Sequence, residues 1–120
     1  MTPANRNKRA GTIRENRVKE LLEEDGYYVV RAAGSLGAAD LIGLKPGQTL
    51  LVQVKSEVYL PPGEWNDLWF AAQAAGGTPI HAAKLPSSRR VVWHRLTGPK
   101  TVVTKRPPWV EWSADEVRPR

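Results

Sequence analysis

Asp40, Gln53 and Lys55 carry the clearest chemical potential in this chain, and the sequence between them sets how they relate. They lie within GAADLIGLKPGQTLLVQVK, in which two short apolar runs flank Pro46-Gly47. That pattern reads as a β-hairpin. If the turn closes symmetrically, Lys45 faces Gln48 and, counting back along both strands, Asp40 falls opposite Gln53. Residues directly opposite share a face with Cβ atoms about 4.5–5.5 Å apart, and Lys55 joins that face because strands have period two. A carboxylate, an amide and an ammonium thus converge. Pro-Gly suits a type II turn, whereas two-residue hairpins favour primed turns. A four-residue loop closed by Leu44 and Thr49 keeps the same register, and an odd-length loop separates the faces.

Such a group suits phosphodiester hydrolysis, which asks a protein for a metal, an oriented water and positive charge around the phosphate. Magnesium takes an octahedral shell of oxygens, commonly one or two carboxylates completed by water and phosphate. Asp40 offers one carboxylate and Glu15 is a candidate for another. The side-chain carbonyl of Gln53 and the backbone carbonyl of Val54 are neutral candidates. Lys55 beside the metal can orient water and stabilise negative charge. The competing reading is an ordinary polar strand face.

The elements around these residues follow from pattern. Residues 11–25 read as a helix, with Thr12 as N-cap, Glu15 at capping-box spacing and Gly26 as the stop. At 100° per residue Glu15 lies within about 60° of Val18 and Leu22, at the edge of the buried stripe. It either caps the helix or faces the site. Tyr27–Ala33 is β-branched and aromatic and reads as a strand. It leads to the small-residue loop Gly34–Ala38, where Ser35 offers a hydroxyl and Arg31 a nearby charge. Pro61-Pro62-Gly63 precedes a helix over 64–76 whose Trp65, Leu68, Trp69, Ala72 and Ala75 keep helical spacing. Residues 78–85 and 90–96 read as a hairpin with Trp93 inward. His81 and His94 lack metal-ligand spacing and read as ordinary strand histidines. A short strand is expected at Thr101–Thr104. Trp109 and Trp112 read as a core cover or a subunit contact, with base stacking as the alternative, and Ser113 with Glu116 as the cap of a last helical turn.

Composition narrows the class. The 120 residues suit one domain over 11–120, preceded by a polar, basic arm over 1–10 expected to be flexible. Eighteen Lys and Arg against 12 Asp and Glu give a net charge of +6, which points to a polyanion such as nucleic acid. With no cysteine, disulfides, thiolate catalysis and cysteine-type zinc sites are excluded. No run is apolar and long enough to span a bilayer, and the N-terminus has no signal-peptide core. The expected location is the cytoplasm, without a membrane partner.

Together these residues resemble the PD-(D/E)XK nuclease superfamily and, within it, the small Hjc-type Holliday junction resolvases of archaea and their phage relatives. The resemblance spans roughly Gly11 to Gly77. It rests on GTIRENRVKELLEEDGYYVVRAAGS, then Asp40, then VQVKS. It implies an α/β fold with a central mixed β-sheet flanked by α-helices, assembled as a homodimer. By that similarity Glu15 matches the helix glutamate, Ser35 the loop serine, Asp40 the metal-binding aspartate, Gln53 the second acidic position and Lys55 the lysine. The implied activity is resolution of branched, four-way DNA by magnesium-dependent hydrolysis, with manganese as a substitute and no small-molecule cofactor. A phage-encoded copy would act in the host cytoplasm. Arg6, Lys8, Arg9, Arg14, Arg17 and Arg31 are the candidate phosphate contacts. One position departs from the pattern: Gln53 keeps an oxygen but removes a negative charge, which implies weaker metal binding, whether natural or introduced. Three alternatives stand beside this reading: a less specialised nicking, flap or repair endonuclease, a silenced junction-binding protein, and a structural nucleic-acid-binding protein.

Overall fold

The computed structural model describes residues 3–32, 37–101 and 106–113, with side chains from residue 9 onward. A long helix, α1 (Pro3–Glu24), leads into strand β1 (Tyr28–Arg31), followed by β2 (Leu41–Lys45) and β3 (Gln48–Lys55). Helix α2 (Pro62–Ala75) precedes β4 (Thr78–Lys84), β5 (Val91–Leu96) and the short β6 (Trp109–Glu111). The six strands form one sheet in chain order. Neighbours pair antiparallel except β3 and β4, which run parallel and are joined through α2. This is the mixed sheet flanked by helices that the resemblance implied.

The hairpin closes symmetrically. Lys45 pairs with Gln48 and Leu41 with Val52, and Gly47 takes φ +72°, the left-handed conformation a type II turn requires at its third residue. Strand alternation then sorts the core into two layers. On one face Val18 and Leu22 of α1 pack on Val29, Leu41, Leu50, Val52, Val54, Ile80 and Ala82. On the other, Trp65, Leu68 and Ala72 of α2 pack on Ala39, Leu51, Leu60 and Leu96, with Ile42 and Trp109 partly buried against them. Full burial of each such large apolar side chain contributes about 1.5–3 kcal/mol. Trp112 is buried on the α1 side and Trp109 packs on the α2 side, in keeping with the core reading. Trp93 is only partly buried.

Several boundaries differ from the sequence reading. The basic segment expected as an arm is helical over residues 3–10. Proline is accommodated in a first helical turn, and the Ala, Arg and Lys that follow are strong helix formers. Thr12 and Glu15 therefore lie inside the helix, and the expected N-cap and capping box fall away. Helix α2 starts at Pro62, again with proline in the first turn, and ends at Gly76 with φ +66°. The strand over 27–33 is shorter, Tyr28–Arg31. Residues 109–111 form an edge strand that no sequence pattern announces. The strand expected at 101–104 and the cap at Ser113 and Glu116 involve residues outside those described. Among the described residues, no helix is long and apolar enough to cross a membrane.

Candidate active site

Asp40 sits at the entry to β2, fixed by both of its backbone groups. Its N–H donates to the carbonyl of Val52 at 2.8 Å and its carbonyl accepts from the N–H of Ala32 at 2.9 Å. The next rung of the β2–β3 ladder is made by a side chain: the Val54 N–H donates to Asp40 Oδ2 at 2.9 Å. One carboxylate oxygen is thus held by the backbone of β3, which leaves Oδ1 to other partners. Val54, a candidate through its carbonyl, also meets the site through its N–H.

Gln53 is half-buried, on the face of β3 that also carries Leu51 and Lys55. That face is turned toward α2, because Lys55 Nζ donates to Glu64 Oε1 at 2.6 Å. Glu15 approaches from α1. Burial and then repulsion from the Asp40 carboxylate raise its pKa, and Arg31 and Arg14 act in the opposite direction. Glu15 thus lies close enough to the Asp40 carboxylate to feel its charge. Arg31 Nε lies 3.9 Å from Glu15 Oε1, and the same guanidinium donates to Asn16 Oδ1. The carboxylates of Asp40 and Glu15 and the side-chain carbonyl of Gln53 are oxygen donors of the kind that suits a hard cation such as magnesium. Among the described residues no three His, Cys, Asp or Glu side chains gather closely enough to hold a metal ion, so the fit rests on two carboxylates and an amide.

Comparison with known proteins identifies the family. The archaeal Holliday junction resolvase (Hjc) family matches over residues 6–106. The chain belongs to the Hjc family. The crossover junction endodeoxyribonuclease Hjc of Methanocaldococcus jannaschii is 34% identical over 80 residues, covering 63% of this chain and 59% of that relative. This chain therefore spans less than two thirds of that relative's length. The solved structure of Archaeoglobus fulgidus Hjc, a Holliday junction resolvase from an archaeal hyperthermophile, superimposes with a TM-score of 0.58 at 25% identity, covering 66% of this chain and 70% of that one.

In this Hjc-family chain the remaining candidates are distributed unevenly. Ser35 lies outside the described residues, as do the side chains of Arg6 and Lys8. Arg9 is exposed on α1. Arg14 lines a cavity of about 240 Å³ with Ile13, Ser56, Lys84 and Pro86. Arg17 is engaged internally, donating to Glu20 at 2.6 Å and to the carbonyl of Arg89 at 3.1 Å. Arg31 stands beside Glu15.

Three residues of interest escaped the sequence reading. Glu64 pairs with Lys55; its signal was an acid immediately after Pro61-Pro62-Gly63, which resembles an ordinary first-turn helix acid. Lys84 gave no signal until the fold placed it across the cavity from Arg14. His81 is the one fully buried polar side chain among the described residues, and neither ring nitrogen has a hydrogen-bond partner. It pairs with Gln53 across the β3–β4 ladder and with His94 across β4–β5. Burial, then the neighbouring His94 and Lys55, push its pKa down to about 4. Both imidazoles stack on the Trp109 indole, at 5.1 Å for His81 and 4.2 Å for His94.

Proposed function

We propose that this chain is a magnesium-dependent, structure-selective DNA endonuclease that resolves four-way junctions. The observation that carries the reading is the Asp40 carboxylate, pinned by the Val54 N–H beside Gln53 and Lys55 in a chain of the Hjc family. Asp40, Glu15 and Gln53 would hold the cation, and a bound magnesium would neutralise charge on the phosphate and lower the pKa of water. Lys55, steadied by Glu64, orients the attacking water and faces the charge that develops on the phosphoryl oxygens. Hydrolysis would leave a 5′-phosphate and a 3′-hydroxyl.

Resolution needs paired cuts, and one chain has one such centre. A two-fold homodimer supplies the second. Arg9, Arg14, Arg31 and Lys84 would bind phosphates, so affinity should depend steeply on salt and little on sequence. The protein would work in the cytoplasm, or in the host cytoplasm if phage-encoded.

A second reading has its own support: Gln53 removes one charge from the metal site, which favours a junction binder without cleavage. Incubation with a labelled immobile four-way junction and matched linear duplex, in magnesium, manganese or chelator, separates the two. Paired, metal-dependent nicks in the junction that vanish in Asp40→Ala are the expected result. Junction binding without nicks, restored by Gln53→Glu, would establish the silenced form. Duplex and flaps cut as fast as junctions would indicate a less specialised nuclease.

A further inference from the structure

His81 is fully buried in the sheet, and among the described residues neither of its ring nitrogens has a hydrogen-bond partner. A buried polar group without a partner destabilises a fold, and His81 leaves both nitrogens so placed, with Nδ1 of His94 a third. Stacking on Trp109 covers the ring faces and leaves only the ring edges for hydrogen bonding. Two polar side chains flank His81 in register on that face: Gln53 on β3 and His94 on β5. Strands lie about 4.8 Å apart, a separation that an amide or an imidazole spans with one hydrogen bond.

We propose that His81 is a positioning residue for Gln53, accepting a hydrogen bond from the Gln53 amide N–H and donating its own N–H to Nδ1 of His94. This assignment gives all three orphan nitrogens a partner. It also leaves His94 with its proton on Nε2. The proposal rests on the reading of Gln53 as a metal ligand and adds a requirement peculiar to glutamine. A carboxylate presents two equivalent oxygens, whereas an amide presents one oxygen and one NH₂ group, which repels a cation. A glutamine at this position serves a metal only if its amide is held the right way round. A histidine acceptor on the far side from Asp40 fixes that orientation, as outer partners orient metal ligands generally.

Two measurements test the proposal. The first is histidine ring ¹⁵N NMR of the metal-free protein and of Gln53→Leu. The expected result is a single tautomer for each histidine, with the proton of His94 on Nε2, and a Gln53→Leu shift confined to the acceptor nitrogen of His81. A His81 spectrum unchanged by Gln53→Leu overturns the pairing. The second is Mn²⁺ affinity by EPR titration for His81→Leu, His81→Gln and Gln53→Leu, with His81→Leu repeated in a Gln53→Glu background. Loss of the outer partner should weaken binding by about 10- to 100-fold. That loss should appear with Gln53, be partly rescued by His81→Gln, and be absent in the Gln53→Glu background. Equal loss in both backgrounds, or none in either, overturns the positioning role. A Gln53→Leu variant that binds Mn²⁺ as tightly as the parent, with the NMR coupling intact, overturns the metal-ligand reading and leaves the hydrogen-bonded row standing.

Discussion

The two faces of β3 and β4 are built from alternate residues of the same strands, yet they are made for different ends. Toward α1 stand Leu50, Val52 and Val54, then Ile80 and Ala82, an apolar surface closed by Val18 and Leu22. Toward α2 the same strands begin with Leu51 and then turn polar, with Gln53 and Lys55 on β3 and His81 on β4. The covering residues differ accordingly. Val18 and Leu22, with Trp112 beside them, close the first face, whereas Trp65 and Trp109, with ring centroids 4.9 Å apart, close the second, where an indole stacks on two imidazoles. Period two lets one strand secure the fold with one set of side chains and present polar groups with the other.

The sharpest way to break that comparison is at Asp40. Asn in its place keeps an acceptor for the Val54 N–H and loses the charge. Asp40→Asn should therefore lower single-turnover junction cleavage by about 10³-fold with little change in melting temperature. Undiminished cleavage would remove the chemistry from this face. On the opposite face Leu22→Ala should cost about 2–5 kcal/mol in urea denaturation while leaving Mn²⁺ affinity unchanged; a parallel loss of metal binding would show that the faces are not separable.

Acid should expose the polar face selectively. The His81 pKa is about 4 in the fold against 6.5 in the unfolded chain, so between those values the unfolded chain binds the proton and the fold does not. Stability should fall as pH drops from about 6.5 to about 4, by roughly 3 kcal/mol in total, and His81→Leu should flatten that slope. Urea midpoints across this range are the measurement. Glu64→Gln should release Lys55 and slow cleavage about tenfold, a change of about 1.4 kcal/mol, at constant junction affinity. The smallest effect belongs to Glu15, whose folded pKa is raised. Its contribution has the opposite sign to that of His81: stability gains as pH falls through the folded value. Metal affinity should decline over the same interval, and Mn²⁺ titrations at stepped pH would detect it; a flat profile would place Glu15 outside the metal site.

Much of the site was legible because local rules governed it. Pro46-Gly47 fixed an even loop, and the even loop fixed the register from Lys45 and Gln48 back to Leu41 and Val52; beyond it Asp40 is held by the Val52 carbonyl and the Val54 N–H. Where long-range packing decided the outcome, local rules failed. Residues 3–10 read as an arm because their charge hides good helix propensity. Thr12 and Glu15 mimicked a capping box in the middle of a helix. Glu64 carried the signature of a helix-dipole acid, and only the path of α2 over the sheet brought it to Lys55. His81 looked like any strand histidine, since burial and an empty hydrogen-bond shell are properties of the neighbours rather than of the residue.

The single parallel ladder also bears on how the molecule comes together. A hairpin turning through Pro46-Gly47 is a local structure, of a kind that forms in about 1–10 μs, and it brings Asp40 against Val52 and Val54 by itself. The β3–β4 ladder waits for residues 56–77 to fold back across the sheet, and such non-local pairing is slow because loop closure precedes any reward. The nascent chain would therefore hold Asp40 against β3 early, and bring His81 beside Gln53 only when the crossover docks.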